Sequence, residues 1–304
     1  MRVTSIDVGS NSILMLVAER SDEGRWDRIE ERAEVARISE GLDASGRLSP
    51  APIARALSVL RSFVQRAREL HSQRIWITGT APFRRAENGL DVAQTLSEAL
   101  GVELCVASGE EEGALTLKAT TESFPDWSAM QVLDIGGAST ELLHWSPKQL
   151  KSQSIDLGVV RLMERYVVND PPTEEELARM REGIRHTLSQ QLAKEEGAAT
   201  LIGVAGTVTS LAALDLKLDT WDPDLVQGHV LRVEAIEAIG RQLWSQTIEE
   251  RSRAIGLNPR RADVIAVGAW YLWEICTYLE VDHVVVSDRG LRWGRLFMET
   301  EKMS

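Results

Sequence analysis

Ile6-Asp7-Val8-Gly9-Ser10-Asn11-Ser12 and Leu133-Asp134-Ile135-Gly136-Gly137-Ala138-Ser139-Thr140 are the same local pattern written twice. Each is an apolar β-type run ending in an Asp, then glycine and small hydroxyl residues. A second apolar run follows, Ile13 to Ala18 in the first copy and Leu142 to Trp145 in the second. Both read as β-hairpin turns of phosphate-loop type, because glycine admits a ligand close to the backbone and consecutive N–H groups in a tight turn form a concave anion site. An Asp beside such a turn repels phosphate on its own and makes sense with a divalent cation between the two. Asp and Gly are also ordinary hairpin residues, so one copy alone would read as a structural turn. Two matching copies point to a metal-phosphate cleft between two related domains.

Working outward, the first copy opens a run of three strands, at about Val3 to Asp7, Ile13 to Glu19 and Trp26 to Arg37. A helix follows, with Ser49 as N-cap, Pro50 at its first position and Ile53, Leu57, Leu60, Val64 and Ala67 on one face. Strand Arg74 to Thr78, helix Leu90 to Leu100, strand Val102 to Val106 and helix Glu110 to Thr121 complete the half. Three strands and then alternating helix and strand is the ribonuclease H-like pattern. After a junction at Phe124-Pro125-Asp126 the second copy repeats it. Strands are expected at Met130 to Asp134, Glu141 to Trp145 and Gln149 to Asp156. Helices follow at Val159 to Tyr166 and Thr173 to Leu192, the second opened by a Thr173-x-x-Glu176 capping box. Strand Thr200 to Val204, a helix from Gly206-Thr207 through Leu214, strand His283 to Ser287 and helix Leu291 to Glu299 close the chain. The expected fold is α/β, two ribonuclease H-like domains over residues 1–124 and 125–304, the last helix able to pack back on the first domain.

The bulk properties narrow the function. A chain of 304 residues is long enough for two cores. Its net charge of −12, from 34 basic and 46 acidic residues, argues against a general polyanion surface and hence against nucleic acid. Any phosphate ligand must then be held by local arginines, backbone N–H groups and metal. The early Asp7 does not suit a signal peptide, and no apolar run is long enough to span a bilayer, so a cytoplasmic protein is expected. Cys105 and Cys276 lie far apart in apolar runs and read as buried free thiols. A Walker loop, a dinucleotide fingerprint, a nucleophile elbow and a metalloprotease His pair are all missing from the sequence.

Four further segments could line the cleft. Thr80 to Asn88 follows a strand and carries Arg84 and Arg85; Arg84 could fork onto phosphate oxygens. Ser108 to Gly113 holds Glu110, Glu111 and Glu112 in a helix's first turn, where acids offset the helix dipole and one could serve as a base. Gly203 to Thr209 is a strand-to-helix turn with free N–H groups. Ser287 to Arg292 enters the last helix and reads first as a hinge.

Taken in order, Asp7 to Ser12, Thr80 to Asn88, Ser108 to Gly113, Asp134 to Glu141, Gly203 to Leu211 and Gly290-Leu291-Arg292 resemble the exopolyphosphatase and guanosine pentaphosphate phosphatase family. That family lies within the actin, sugar kinase and heat-shock ATPase superfold. The resemblance covers nearly the whole chain, which looks like the short, two-domain form. It implies hydrolysis of a terminal phosphoanhydride with a divalent metal, usually magnesium, acting on inorganic polyphosphate or guanosine pentaphosphate. A homodimer is among its expectations, and neither nucleic acid nor membrane is an expected partner. By position it makes Glu112 the general base and Asp134 the metal-associated acid, with Asp7, Asp134 and Glu112 as metal ligands. Phosphate falls to Gly9, Ser10, Asn11, Ser12, Arg84, Asn88, Gly136, Gly137, Ser139, Thr140, Gly206 and Thr207. Four residues depart from the family pattern: Ala138 for a third glycine, Ala114 for arginine, Gln227 for histidine and Trp293 for glutamate. Two rival readings are an ATP-dependent kinase of the same superfold and a non-catalytic sensor of polyphosphate or alarmone.

Overall fold

A computed structural model describes residues 1–193 and 200–301. The chain begins with strands β1 (Arg2–Val8), β2 (Ser12–Arg20) and β3 (Trp26–Val35), followed by the single turn α1 (Leu42–Ser45) and the long helix α2 (Pro50–Glu69). Then come β4 (Arg74–Gly79), α3 (Ala81–Arg85), α4 (Gly89–Leu100), β5 (Leu104–Val106) and α5 (Gly109–Ser123). The second set opens with β6 (Met130–Ile135), β7 (Thr140–Ser146), β8 (Gln149–Ile155), α6 (Val159–Tyr166), α7 (Glu174–Gln191) and β9 (Thr200–Val204). It continues through α8 (Ala205–Asp215), α9 (Pro223–Val226), β10 (Val230–Arg232), α10 (Val233–Trp244) and α11 (Ile248–Arg251). It ends with α12 (Ile265–Leu279), β11 (His283–Val286) and α13 (Leu291–Glu301).

These elements form two compact units. One holds Met1–Ala119 with the C-terminal segment from Gly290; the other is Thr120–Arg289. The sheet of the first unit runs β3-β2-β1-β4-β5. β1, β2 and β3 pair antiparallel, while β4 and β5 add in parallel to β1. The second sheet runs β8-β7-β6-β9-β11 with the same directions, and β10 extends it as an antiparallel edge. Each unit is thus ribonuclease H-like, and the repeat is that of the actin, sugar kinase and heat-shock ATPase superfold. Three-residue β10 is too short to leave a pattern in the sequence.

Strand periodicity decides what each sheet face buries. In the first unit Ile6, Val8, Ile13, Met15 and Val17 join Leu60, Phe63 and Val64 of α2 and Leu96 of α4 in one core. Val3, Leu16 and Ala18 face the other way, onto Trp293, Leu296 and Phe297 of α13 and Ala119 of α5. Asp7 shares the parity of Val3 and therefore lies on the α13 face. In the second unit α12 is apolar nearly all round and buries most of its length, which makes it the central core helix.

Ser49 stands at the N-cap of α2 with Pro50 first in the helix, as expected; its side chain makes no capping bond, and extended ψ before Pro50 starts the helix by backbone geometry. One local expectation needs correction. Cys105 is exposed, because β5 turns Leu104 inward and its neighbour outward. Cys276 is buried in α12, and burial pushes its thiol up to about 12. The Thr173 capping box is formed, with Glu176 buried. Burial alone would raise the Glu176 carboxyl, but hydrogen bonds from Thr173, Val168 and Asn169 outweigh it and hold the group below its ordinary value. No helix among the described residues is long and apolar enough to cross a membrane.

Candidate active site

In the first turn Gly9 N–H bonds Ser12 O at 3.1 Å, closing the hairpin where Val8 faces Ile13. Its other carbonyls are taken from behind. Ala36 N and Arg37 N donate to Asn11 O at 3.1 and 2.9 Å, and Ser39 donates to Ser10 O through both N–H and Oγ. Thr80, just past β4, gives Val8 O its N–H at 3.3 Å and its hydroxyl at 3.1 Å. With the acceptors consumed, the N–H groups of Ser10 and Asn11 have no acceptor among the described residues. Carbonyls tied back and amides open make an anion cradle.

The second turn repeats this logic. Gly136 N–H bonds Ser139 O at 3.0 Å where Ile135 faces Thr140. Here the backing is α6: Val159 N donates to Gly136 O at 3.1 Å and Val160 N to Gly137 O at 2.9 Å. The N–H groups of Gly137, Ala138 and Ser139 have no acceptor among the described residues. Close approach explains the glycines: a Cβ on Gly136 would sit 2.9 Å from Ser139 O, and one on Gly158 2.5 Å from Gly137. Ala138 has no left-handed φ and its methyl is buried, the residue being 2% exposed, so the missing third glycine leaves the turn in ordinary backbone geometry.

The acidic helix start resolves into distinct roles. Ser108 and Glu111 cap α5 reciprocally: Glu111 N donates to Ser108 Oγ at 3.1 Å, and Ser108 N to Glu111 Oε2 at 2.7 Å. Glu110 is exposed. Glu112, with a side chain only 13% exposed, forms an ion pair with Arg84. Arg84 is itself anchored by a 2.8 Å bond from Nη1 to Ala107 O. Two segments singled out separately in the sequence are therefore one cluster, and Arg84 stands on a helical turn, α3.

Other expected residues are committed elsewhere. Asn88 spends both ends of its amide on the Leu48 backbone, each at 2.9 Å. Thr140 is fully buried and donates to Leu157 O at 2.8 Å, and the Thr207 methyl lies where a Cβ on Gly268 would fall. At the third turn Ala205 holds φ +67°, which costs a non-glycine residue energy and marks a position fixed by its surroundings. A Cβ on Gly206 would lie 2.1 Å from the Arg261 guanidinium, so the arginine head packs against the bare glycine.

Oxygen donors for a hard divalent cation are present in each unit. Asn11 Oδ1 is shut off from solvent with no hydrogen-bond partner, beside the turn that Asp7 precedes. In the second unit Asp134 faces Glu141 directly across β6 and β7, and Glu141 is buried. A facing pair of carboxylates sets oxygen donors side by side. Magnesium, bound through one or two carboxylates and substrate phosphate, fits such a donor set. No group of three or more His, Cys, Asp or Glu side chains placed to hold a metal occurs among the described residues. The Glu141 pairing was missed in the sequence, although counting outward from the hairpin turn sets it opposite Asp134.

A model described as the Ppx/GppA phosphatase family matches residues 16–303. The chain belongs to the Ppx/GppA phosphatase family. Exopolyphosphatase 2 of Mycobacterium tuberculosis is 30% identical over 310 residues, covering 96% of this chain and 97% of that one. A guanosine-5'-triphosphate,3'-diphosphate pyrophosphatase of Vibrio atlanticus is 30% identical over 295 residues, which is 95% of this chain and 57% of the longer relative. The crystal structure of the Aquifex aeolicus Ppx/GppA family member superposes with a TM-score of 0.83 at 32% identity, covering 100% of this chain and 99% of that one. Within this Ppx/GppA chain the departures now have places. Gln227 accepts from Asp288 N at 2.8 Å and so holds the loop before α13. Trp293 is buried in the α13 core, 1% exposed.

Proposed function

We propose that this chain is a phosphohydrolase releasing terminal phosphate from inorganic polyphosphate or guanosine pentaphosphate, with Glu112 as general base. The pairing of Glu112 with Arg84 carries the reading. It fixes a carboxylate at the head of α5 and sets beside it a guanidinium, the group that forks onto phosphate oxygens. Gly9 to Ser12 in the first unit and Gly136 to Ser139 in the second each offer phosphate their open N–H groups, and the Gly206 turn with Arg261 is a further anion contact of the second unit. Water attacks the terminal phosphorus in line with the bridging oxygen, and the water's proton passes to the Glu112 carboxylate. The phosphorus–bridging oxygen bond breaks, giving orthophosphate and a chain one phosphate shorter. Within the second unit, the facing carboxylates Asp134 and Glu141 would hold magnesium, which when bound supplies positive charge to offset that of the phosphates; in the first unit Asp7 and Asn11 are the oxygen donors beside the turn. Glu112, expected among the metal ligands as well, is assigned to the base alone because Arg84 already faces it.

The test is phosphate release from long-chain polyphosphate and, separately, from guanosine pentaphosphate, with and without magnesium. Glu112→Gln is expected to lower kcat by ~10²–10⁴-fold with binding of either substrate kept. Binding without release by the unsubstituted protein would replace the hydrolase with a sensor.

A further inference from the structure

Two contacts of the C-terminal helix α13 bear on where the Glu112–Arg84 cluster sits. The first is with α5. A Cβ on Gly294 would lie 1.8 Å from Leu115 O and 2.5 Å from Leu115 C, far inside the 3.0 Å that real Cβ contacts respect. The obstacle is helix backbone, which cannot swing aside as a side chain can. Leu115 is three residues, less than one helical turn, beyond Glu112. The second contact is with β4: Arg295 Nε donates to Thr78 Oγ1 at 3.3 Å, and Thr78 is the register partner of Asp7. Farther along, Lys118 pairs with Glu301 at 2.6 Å, and Trp293 and Phe297 pack on Ala119. α13 is therefore seated along α5 from Leu115 to Ala119.

We infer that Gly294 is a positioning residue: by letting α13 meet the α5 backbone directly, it sets where Glu112 stands against Arg84. The inference rests on Glu112 being the base. Opening the 1.8 Å approach to an allowed separation moves one helix by more than an ångström, and misplacement of about that size costs a catalytic group about 10²-fold. A residue that only stabilised the fold would change the melting temperature and leave turnover per folded molecule alone.

The experiment compares Gly294→Ala with the unsubstituted protein in magnesium-dependent release from polyphosphate, alongside circular dichroism and thermal melting. The expected result is a kcat about 10²-fold lower with KM changed by less than about threefold. A double-mutant cycle of Arg84→Ala and Glu112→Gln, read by melting temperature in both backgrounds, supplies a readout apart from activity. The Arg84–Glu112 coupling is expected in the native background and absent with Gly294→Ala. Should Gly294→Ala not fold, Arg295→Gln tests the second contact, with an expected kcat loss of about 3–10-fold at unchanged KM. If Glu112→Gln stays active while the coupling still vanishes with Gly294→Ala, the base assignment falls and the positioning stands. Unchanged kcat and unchanged coupling in a folded Gly294→Ala, or unchanged kcat in Arg295→Gln where that variant is the one tested, overturn the inference.

Discussion

The Gly9 turn is braced from its sides by irregular backbone, Ala36, Arg37 and Ser39 after β3 and Thr80 after β4, whereas the Gly136 turn is braced end-on by the first turn of α6. Both arrangements reach the same result, carbonyls tied down and N–H groups left open. The lesson is that the cradle depends on satisfying the acceptors and not on one kind of support. The supports differ in tolerance all the same. Loop donors can shift by a few tenths of an ångström, while donors fixed in a helix and pressed on the turn through Gly158 cannot.

That difference is breakable. The largest effect is expected from Gly158→Ala, whose Cβ would meet Gly137 and Ala138 backbone at 2.5–2.6 Å. Pushing α6 off the second turn should cost about 1–3 kcal/mol, read from urea unfolding, and abolish most phosphate release. A smaller contrast sets the two hairpins against each other. Gly136→Ala places a Cβ 2.9 Å from Ser139 O, Gly9→Ala one 3.3 Å from Ser12 O. Substrate affinity measured by calorimetry should fall about tenfold more for Gly136→Ala than for Gly9→Ala; equal losses would mean the supports are equally yielding. The smallest effect belongs to Thr80→Val, which removes one hydroxyl bond to Val8 O and leaves the N–H bond in place. A loss of about 1 kcal/mol in unfolding free energy with nearly normal turnover is expected.

The sequence showed the parts whose signal is local. The duplicated Asp-x-Gly turns, the strand alternation and the Thr173 capping box each lie within a few residues, and each is present. Helix α3 and strand β10 escaped because five and three residues are too few for a period to show. The site was legible as a set of segments but not as a geometry. Arg84 and Glu112 are 28 residues apart, and their meeting depends on how α3 and α5 leave neighbouring strands β4 and β5. Residue type alone does not divide Glu111 from Glu112, since both suit a helix start; the resemblance singled out Glu112, and the packed helix gives Glu111 to Ser108 and Glu112 to Arg84. Gly206 reads as a phosphate-turn glycine, yet its lack of a side chain makes room for Arg261, a contact 55 residues away that no local pattern announces.

The reciprocal cap at the head of α5 also limits how this protein can evolve. Three consecutive glutamates look like spare copies of one another, as if losing one could be made good by the next. They are not interchangeable: Glu111 is bound to Ser108, and neighbouring positions on a helix point about 100° apart. A selection for regained activity starting from Glu112→Gln should therefore return the original codon, with no second-site substitution recruiting the adjoining carboxylates.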